Sequence, residues 1–296
     1  DSINVNYVYE DDGSTLLILA MNYHLDTLFR WLLNRPDIDV NIANKNGYTA
    51  LHIACIGNEY DRIDRYEYYV SEILKKDNID VNKTDNQGYT PLHIACFNNE
   101  NEKIVKLLLT KDDIDIKITS NEGYTPLHIA CFGPTNKSNI VELLLEKDDS
   151  VVNITNNEGN TPLHIACYHT AVYTIKKLLK KQRNTNRPLY DVSSINSKNN
   201  QSLTPLMIAC TKGYRTMTGH YTVIENILDY PLYIFDEEEV NSILNNGDIN
   251  DEIKSLVISK RDRRMIMAWR SAMRFPSPPP RNYTSFTNKK ERQQDG

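Results

Sequence analysis

The string GYTPLHIACF occurs twice, at residues 88–97 and 123–132, and it carries a threonine, a histidine and a cysteine. Histidine and cysteine side chains bind zinc, and a histidine can activate a hydroxyl or thiol nucleophile. A zinc site needs about four ligands around one ion. Each copy supplies one histidine and one cysteine, and the second copy begins 35 residues after the first. This spacing predicts no metal site.

Imperfect copies of the same string extend through most of the chain. Its threonine recurs at intervals of 34, 41, 35, 36 and 43 residues, at Thr15, Thr49, Thr90, Thr125, Thr161 and Thr204. A period in this range is the signature of a solenoid built from one small repeated unit. The repeated string therefore indicates a fold rather than a reactive site.

Each unit contains the same order of predicted elements. A threonine such as Thr125 caps a short helix, and a proline follows at the first helical position. A second helix has apolar residues at i, i+3 and i+4, as in KIVKLLL at 103–109. Extended stretches such as DIDVN at 37–41 and SVVN at 150–153 then lead into turns that need a positive φ. The glycines expected to supply it are Gly47, Gly88, Gly123 and Gly159.

This pattern resembles the ankyrin repeat over about residues 5–230, and the four central units match it closely. The first unit has LLI at 16–18 in place of Pro-Leu-His, and the last has Ser202 and Met207 in place of the glycine and the histidine. Divergent ends are expected because terminal units have one neighbour. The resemblance implies an all-α repeat solenoid of stacked helix-turn-helix units with β-hairpin-like turns. It places the units near 10–41, 44–82, 85–117, 120–153, 156–192 and 199–230.

The composition divides the chain into three parts. Residues 1–230 form the repeat array, 231–275 a helical capping and basic amphipathic segment, and 276–296 a disordered, proline-rich, basic tail. The net charge is −13 over 1–253 and +8 over 254–296, which indicates different partner preferences for the two parts. The sequence starts at Asp1 without a methionine, so it does not exclude an upstream segment.

The cysteines occupy one position of the repeat. Packed helices lie about 8–10 Å apart, beyond the roughly 7 Å Cα separation that a disulfide spans. We therefore expect free, buried thiols in a reducing compartment, the cytoplasm or else the nucleus. The resemblance implies that each repeat histidine bonds turn backbone and links adjacent units. The cysteines are Cys55, Cys96, Cys131, Cys167 and Cys210.

No glycine-rich phosphate loop, nucleophile elbow or catalytic carboxylate pair is present, so we predict no enzymatic activity and no cofactor. The resemblance implies a protein-binding module whose concave side carries large side chains. The candidate contacts are Tyr48, Tyr89, Tyr124, Ile56, Phe97, Phe132 and Tyr168. The candidate polar rim consists of Lys45, Asn46, Asn86, Gln87, Asn121, Glu122, Asn157 and Glu158. Packing of these rings against the neighbouring repeat is the open alternative.

The expected ligand is a partner protein with a basic or mixed surface, bound by a monomer, with no small-molecule substrate. An adaptor that also recruits other machinery, such as a ubiquitin ligase, through the C-terminal segment is the alternative. A third hypothesis assigns contact with nucleic acid or an anionic membrane to the basic segment, with a solvated helix face as its alternative. The basic patch consists of Lys260, Arg261, Arg263 and Arg264.

Shorter patterns add weaker hypotheses. Asn41 and Asn82 lie in stretches that resemble the sequence recognised by the asparaginyl hydroxylase of ankyrin hairpins. PSPPPR at 276–281 fits a polyproline-II ligand, or else a linker. Three insertions interrupt the period and are read either as partner contacts or as tolerated surface loops. They span 57–69, 133–139 and 181–201.

Overall fold

The computed structural model describes residues 4–57, 63–97, 101–133, 137–179, 195–211, 217–230, 233 and 235–272. Within these ranges the chain forms 14 α-helices and no β-strand. The predicted all-α class is thereby confirmed. The predicted tail at 276–296 and parts of the three predicted insertions lie outside the described residues, while residues 63–69 of the first insertion are helical.

Helices pair along the chain, one pair to each unit. The first helices of the six units are α1 (Leu16–Asn22), α3 (Ala50–Ile56), α5 (Pro91–Phe97), α7 (Pro126–Ala130), α9 (Pro162–Tyr168) and α11 (Pro205–Thr211). The second helices are α2 (Asp26–Leu33), α4 (Ile63–Ile73), α6 (Glu102–Leu109), α8 (Ser138–Lys147), α10 (Val172–Leu178) and α12 (Met217–Leu228). Two further helices follow, α13 (Glu237–Asn245) and α14 (Asp251–Ala272).

The units stack so that each first helix packs on the first helix of the next unit, and second helices from α4 onward do the same. The first helices are short and bury small residues, such as Ala130 and Cys131 in the fourth unit. Small side chains let neighbouring helices approach closely. The five cysteines are free and buried, as the sequence predicts. The stretch 150–153, predicted to be extended, instead lies in a 3-10 helix, Asp149–Asn153.

The threonine and the histidine of each central unit form a reciprocal helix cap. In the fourth unit the backbone N–H of His128 donates to Thr125 Oγ1 (3.4 Å), and the backbone N–H of Thr125 donates to His128 Nδ1 (3.1 Å). Since Nδ1 accepts this bond, the ring carries its proton on Nε2. That nitrogen donates to the carbonyl of Asn160, 3.0 Å away in the fifth unit.

The same bridge recurs at three other junctions. The Nε2 atoms of His52, His93 and His164 lie 2.9–3.1 Å from backbone carbonyls of the following unit, those of Tyr89, Tyr124 and Leu203. Each histidine thus caps its own helix and binds the next turn, which confirms its predicted role. All four rings are buried, and burial lowers their pKa.

The turns form a second continuous set of contacts. Gly123 has φ +83°, as predicted. A Cβ added there would lie 2.7 Å from the backbone nitrogen of Asn157 in the next turn. In the last unit Ser202 takes the same position with φ +62°. The Ser202 side chain is exposed, whereas a Cβ at Gly123 would meet the next turn.

The C-terminal helices cover the end of the array. In the sixth unit the Thr204 hydroxyl donates to Glu239 on α13 instead of pairing with a histidine. The other Glu239 oxygen accepts a hydrogen bond from the Tyr233 hydroxyl (2.6 Å). Glu239 is buried, and desolvation raises its pKa. A carboxyl from outside the repeats therefore completes the last cap.

The turn geometry yields a graded prediction for three glycine-to-alanine substitutions. Gly123→Ala meets both a positive φ and the next turn, Gly57→Ala meets only a positive φ (+66°), and Gly247→Ala meets neither. Gly57 also has a ψ of −174°, in a region that only glycine readily adopts. We therefore expect a loss of about 1–3 kcal/mol for Gly57→Ala, a larger loss for Gly123→Ala and almost none for Gly247→Ala. Urea unfolding of the full chain measures all three. Equal losses for Gly123→Ala and Gly57→Ala would contradict the close approach of successive turns.

The histidine bridges predict a loss of stability in mild acid. His93, His128 and His164 have a folded pKa of about 4, below the ordinary 6.5, because burial disfavours the charged ring. Protons therefore bind the unfolded chain more tightly, so stability is full above about pH 6.5 and falls as the pH drops toward 4. His128→Gln should reduce the slope of unfolding free energy against pH by about 1.4 kcal/mol per unit in this window. Stability that stays constant from pH 7 to pH 5 would contradict the bridges.

Candidate functional site

Large side chains project from the ends of successive first helices. Phe97 ends α5 and is 68% exposed, and Tyr168 ends α9 and is 51% exposed. Phe132, just past α7, is half-buried. We call Phe97, Phe132 and Tyr168 the aromatic row. Ile56, at the same position of the second unit, is 43% exposed.

The three predicted tyrosines lie deeper than the aromatic row. Tyr48, Tyr89 and Tyr124 are half-buried, and each ring centroid is 5.6–5.9 Å from the histidine ring of its own unit. Burial raises the pKa of each phenol. Tyr124 also packs edge-on against Phe132, with 5.3 Å between ring centroids. All three tyrosines therefore pack beside the histidine bridges, and Tyr124 also supports the base of the row.

Much of the predicted rim holds neighbouring units together. The side-chain amides of Asn86, Asn121 and Asn157 donate to turn carbonyls of the preceding unit over 2.8–3.0 Å. Lys45 Nζ donates to the Asp11 carbonyl at 3.0 Å. Glu158 accepts from the amide of Asn160 at 2.9 Å. The remaining predicted rim residues, Asn46, Gln87 and Glu122, are exposed.

The two predicted hydroxylation sites lie in a parallel set of bridges. Asn41 donates to the Asn78 carbonyl (2.7 Å) and accepts from the backbone N–H of Asp80 (2.8 Å), both in the next unit. Asn82 makes the equivalent pair of bonds to Asp113 and Asp115 in the third unit. Both side-chain amides thus contribute to the contact between successive units. Hydroxylation stays a prediction.

The structure adds two residues to the site that sequence reasoning missed. Lys137 caps α8 from within a predicted insertion, and its Nζ lies 5.0 Å from the centroid of the Phe97 ring. His169 follows Tyr168, and its ring centroid is 5.1 Å from those of Phe132 and Tyr168. Lys137 occupies the repeat position that Asn101 occupies one unit earlier. Aligning the units on this position would have drawn attention to Lys137 in the sequence. We call Phe97, Phe132, Lys137, Tyr168 and His169 the Lys137 cluster.

Charge and burial perturb both bases of this cluster. Lys137 is 4% exposed, and desolvation lowers the pKa of its ammonium. Burial also lowers the pKa of the His169 imidazole, and the positive charge of Lys137 lowers it further. The nearby thiols of Cys96 and Cys131 are buried, which raises their pKa and keeps them neutral. The cluster therefore presents positive charge beside exposed rings.

The predicted basic patch is largely committed to contacts within the chain. Lys260 pairs with Asp229 (2.7 Å), and Arg264 donates to the carbonyls of Tyr230 and Tyr233. Arg261 lies 3.1 Å from its neighbour Asp262 and 3.9 Å from Glu237. Arg263 is exposed.

Helix α14 is only partly amphipathic. Ile253 and Val257, near the start of α14, are buried, whereas Met265 is 52% exposed and Met267 is 67% exposed. Among the side chains that the structure describes on this helix, the apolar ones are thus buried in the first turns and exposed at Met265 and Met267.

Within the described residues, no three or more histidine, cysteine or acidic side chains come together as a potential metal site. Among the same residues, no helix has the length and apolar character needed to span a bilayer.

Stacked helix pairs joined by tight turns define a repeat protein of the helical solenoid class. A family model described as ankyrin repeats (3 copies) matches the chain in overlapping segments, and the chain belongs to the ankyrin-repeat family. The matched segments are 2–65, 16–120, 64–156, 100–188 and 137–234. Ankyrin repeats generally mediate protein–protein interaction, and the family is typically non-enzymatic. A comparison with curated proteins found no match.

The contacts of the basic patch predict different effects for two neighbouring arginines. Arg264→Met removes the donors for two backbone carbonyls, so we expect the unfolding free energy to fall by about 1–3 kcal/mol. Arg263→Met removes the same charge from an exposed position and should cost less than about 0.5 kcal/mol. Chemical denaturation of both variants tests this difference. A larger loss for Arg263→Met would show that the patch does not anchor α14.

Proposed function

We propose that this chain is a non-enzymatic binding module that holds a partner protein on the concave side of its repeat array. The observation that carries the proposal is the aromatic row, in which successive units expose large rings at one position of the repeat. Aromatic side chains supply much contact area at low entropic cost and are enriched at binding hot spots. Membership of a family that generally binds proteins supports the same conclusion.

Rigidity favours this mode of binding. Histidine bridges and turn asparagines hold neighbouring units in a fixed arrangement before any partner binds. Preorganisation of this kind reduces the entropy lost on association. In the proposed complex the aromatic row forms the centre of the interface, and Asn46, Gln87 and Glu122 contribute to its polar edge.

The proposed architecture assigns 1–230 to the binding array, 231–275 to the cap and 276–296 to a tail. The net charge of −13 over 1–253 favours a partner whose outer contacts are basic or mixed. Five free cysteines suit a reducing compartment, the cytoplasm or the nucleus. We propose a monomer, since the array provides its own cap.

A second candidate function is that of an adaptor. It is favoured by the distal part of α14, where Arg263, Met265 and Met267 are exposed beyond the contacts that anchor the helix. Exposed methionines suit adaptable protein contacts. In this scheme the array holds a target, and the distal part of α14 binds other machinery such as a ubiquitin ligase.

Site-specific photo-crosslinking in cell extract tests the proposal with the full chain. A photoreactive phenylalanine analogue replaces Phe97 or Tyr168 in the row, or Tyr173, which is 62% exposed on α10, as a matched control. We expect one dominant protein adduct at positions 97 and 168 and none at 173. The same adducts at all three positions, or none in the row, would refute binding at this face.

The same method separates the two candidate functions. A fourth variant carries the analogue at Met267. An adduct there with a second protein, different from the one captured at Phe97, would establish the adaptor. No protein adduct at position 267 would favour the simple binding module.

A further inference from the structure

Lys137 is a buried cation, and no anionic counterpart to it lies among the described residues. Its residue surface is 4% exposed, and its Nζ lies over the ring of Phe97. Within the described part of the chain, no carboxylate forms an ion pair with this nitrogen and no acceptor takes a hydrogen bond from it. A cation–π contact offsets part of the desolvation of an ammonium. It leaves the three N–H donors of Lys137 without an acceptor among the residues that the structure describes.

The preceding unit shows how the same position is satisfied without charge. Asn101 is the cap of α6 and is also buried, and its amide donates to the Cys55 carbonyl at 2.8 Å. The fourth unit places an ammonium where the third unit has this satisfied amide. A buried charge without a partner is costly to a fold, so a lysine at this position is better explained by binding than by stability.

The surroundings of Lys137 define what could bind it. His169 adds a second base, and Phe97 and Tyr168 add exposed apolar surface next to the charge. The buried thiols of Cys96 and Cys131 are the other titratable groups that act on the ammonium, and both are neutral. A carboxylate here would gain the ammonium of Lys137 as its counter-ion, and an adjacent ring would gain a surface to pack on.

We propose that the Lys137 cluster receives a carboxylate side chain of the partner protein, presented next to an aromatic or large apolar residue. This inference rests on the proposed function and specifies the partner's chemistry at one point of the interface. The negative charge of the array favours basic groups of the partner at the edge of the interface, whereas the Lys137 cluster favours a carboxylate of the partner at its centre. The preferred partner surface is therefore a carboxylate and a ring surrounded by basic residues.

NMR titration of the full chain with phenylacetate and phenylacetamide tests the site itself. The two probes share a ring and a shape, and only phenylacetate carries a charge. We expect phenylacetate to shift the resonances of Phe132, Lys137 and His169 saturably, and phenylacetamide to bind at least tenfold more weakly. Equal binding of both probes, or shifts confined to other units, would overturn the proposal.

Two lysine variants separate the site from general charge. Lys137→Met should reduce phenylacetate affinity at least tenfold while leaving thermal stability unchanged or higher. Lys103→Met removes the same charge from exposed α6, where Lys103 pairs with Glu67, and should leave the affinity unchanged. Equal effects of the two variants, or unchanged affinity in Lys137→Met, would overturn the assignment of the carboxylate to Lys137.

A peptide pair tests that the carboxylate belongs to a protein. Acetyl-Gly-Phe-Glu-Gly-amide should compete with phenylacetate, and its glutamine counterpart should not. Phenylacetate binding without peptide competition would assign the cluster to a small carboxylate and overturn the partner assignment. The crosslinking experiment tests the proposed function separately. Partner adducts at position 97 that persist in Lys137→Met would support the binding module and contradict the carboxylate contact.

Discussion

A neutral histidine held between two units is the interaction on which the rest of the structure depends. In the fourth unit His128 accepts from its own helix cap through Nδ1 and donates to the next unit through Nε2. One ring thereby satisfies a helix terminus and gives a second donor to a turn carbonyl that also accepts from the backbone N–H of Asn156 (2.9 Å). The ring performs both tasks only in its uncharged form with the proton on Nε2. The bridge recurs at four successive junctions, where it acts together with the turn contacts to hold the stacked units.

The ends of the array show what replaces the bridge when a neighbour is missing. The first unit has the apolar Ile18 at the histidine position, and Ile18 is fully buried. The last unit has Met207 at the histidine position, and the hydroxyl of its capping Thr204 donates a hydrogen bond to Glu239 on α13. The C-terminal helices thus cover the last repeat unit, and a carboxylate takes the place that a histidine has in the central units. A truncation before α13 would leave Thr204 and Tyr233 without their shared acceptor.

The sequence was sufficient for the repeated part of the fold and insufficient for most of the site. Periodicity located the helix pairs and the turn glycines, and the resemblance to the ankyrin repeat implied the histidine bridges, because each rests on local chemistry that recurs from unit to unit. The SVVN stretch was predicted wrongly as extended, since Asp148 caps a 3-10 turn there. Lys137 escaped notice because it lies in an insertion and its burial depends on stacking. The double role of the turn asparagines escaped notice for the same reason: their partners belong to another unit.

The five buried cysteines allow local opening of the array to be followed unit by unit. Units two to six each carry one thiol at the same position, all free and nearly inaccessible. A thiol reagent therefore modifies a cysteine only when the unit around it opens. The order in which Cys55, Cys96, Cys131, Cys167 and Cys210 become alkylated records which unit opens first. The natural chain thus contains its own set of reporters for local unfolding, one in each unit after the first.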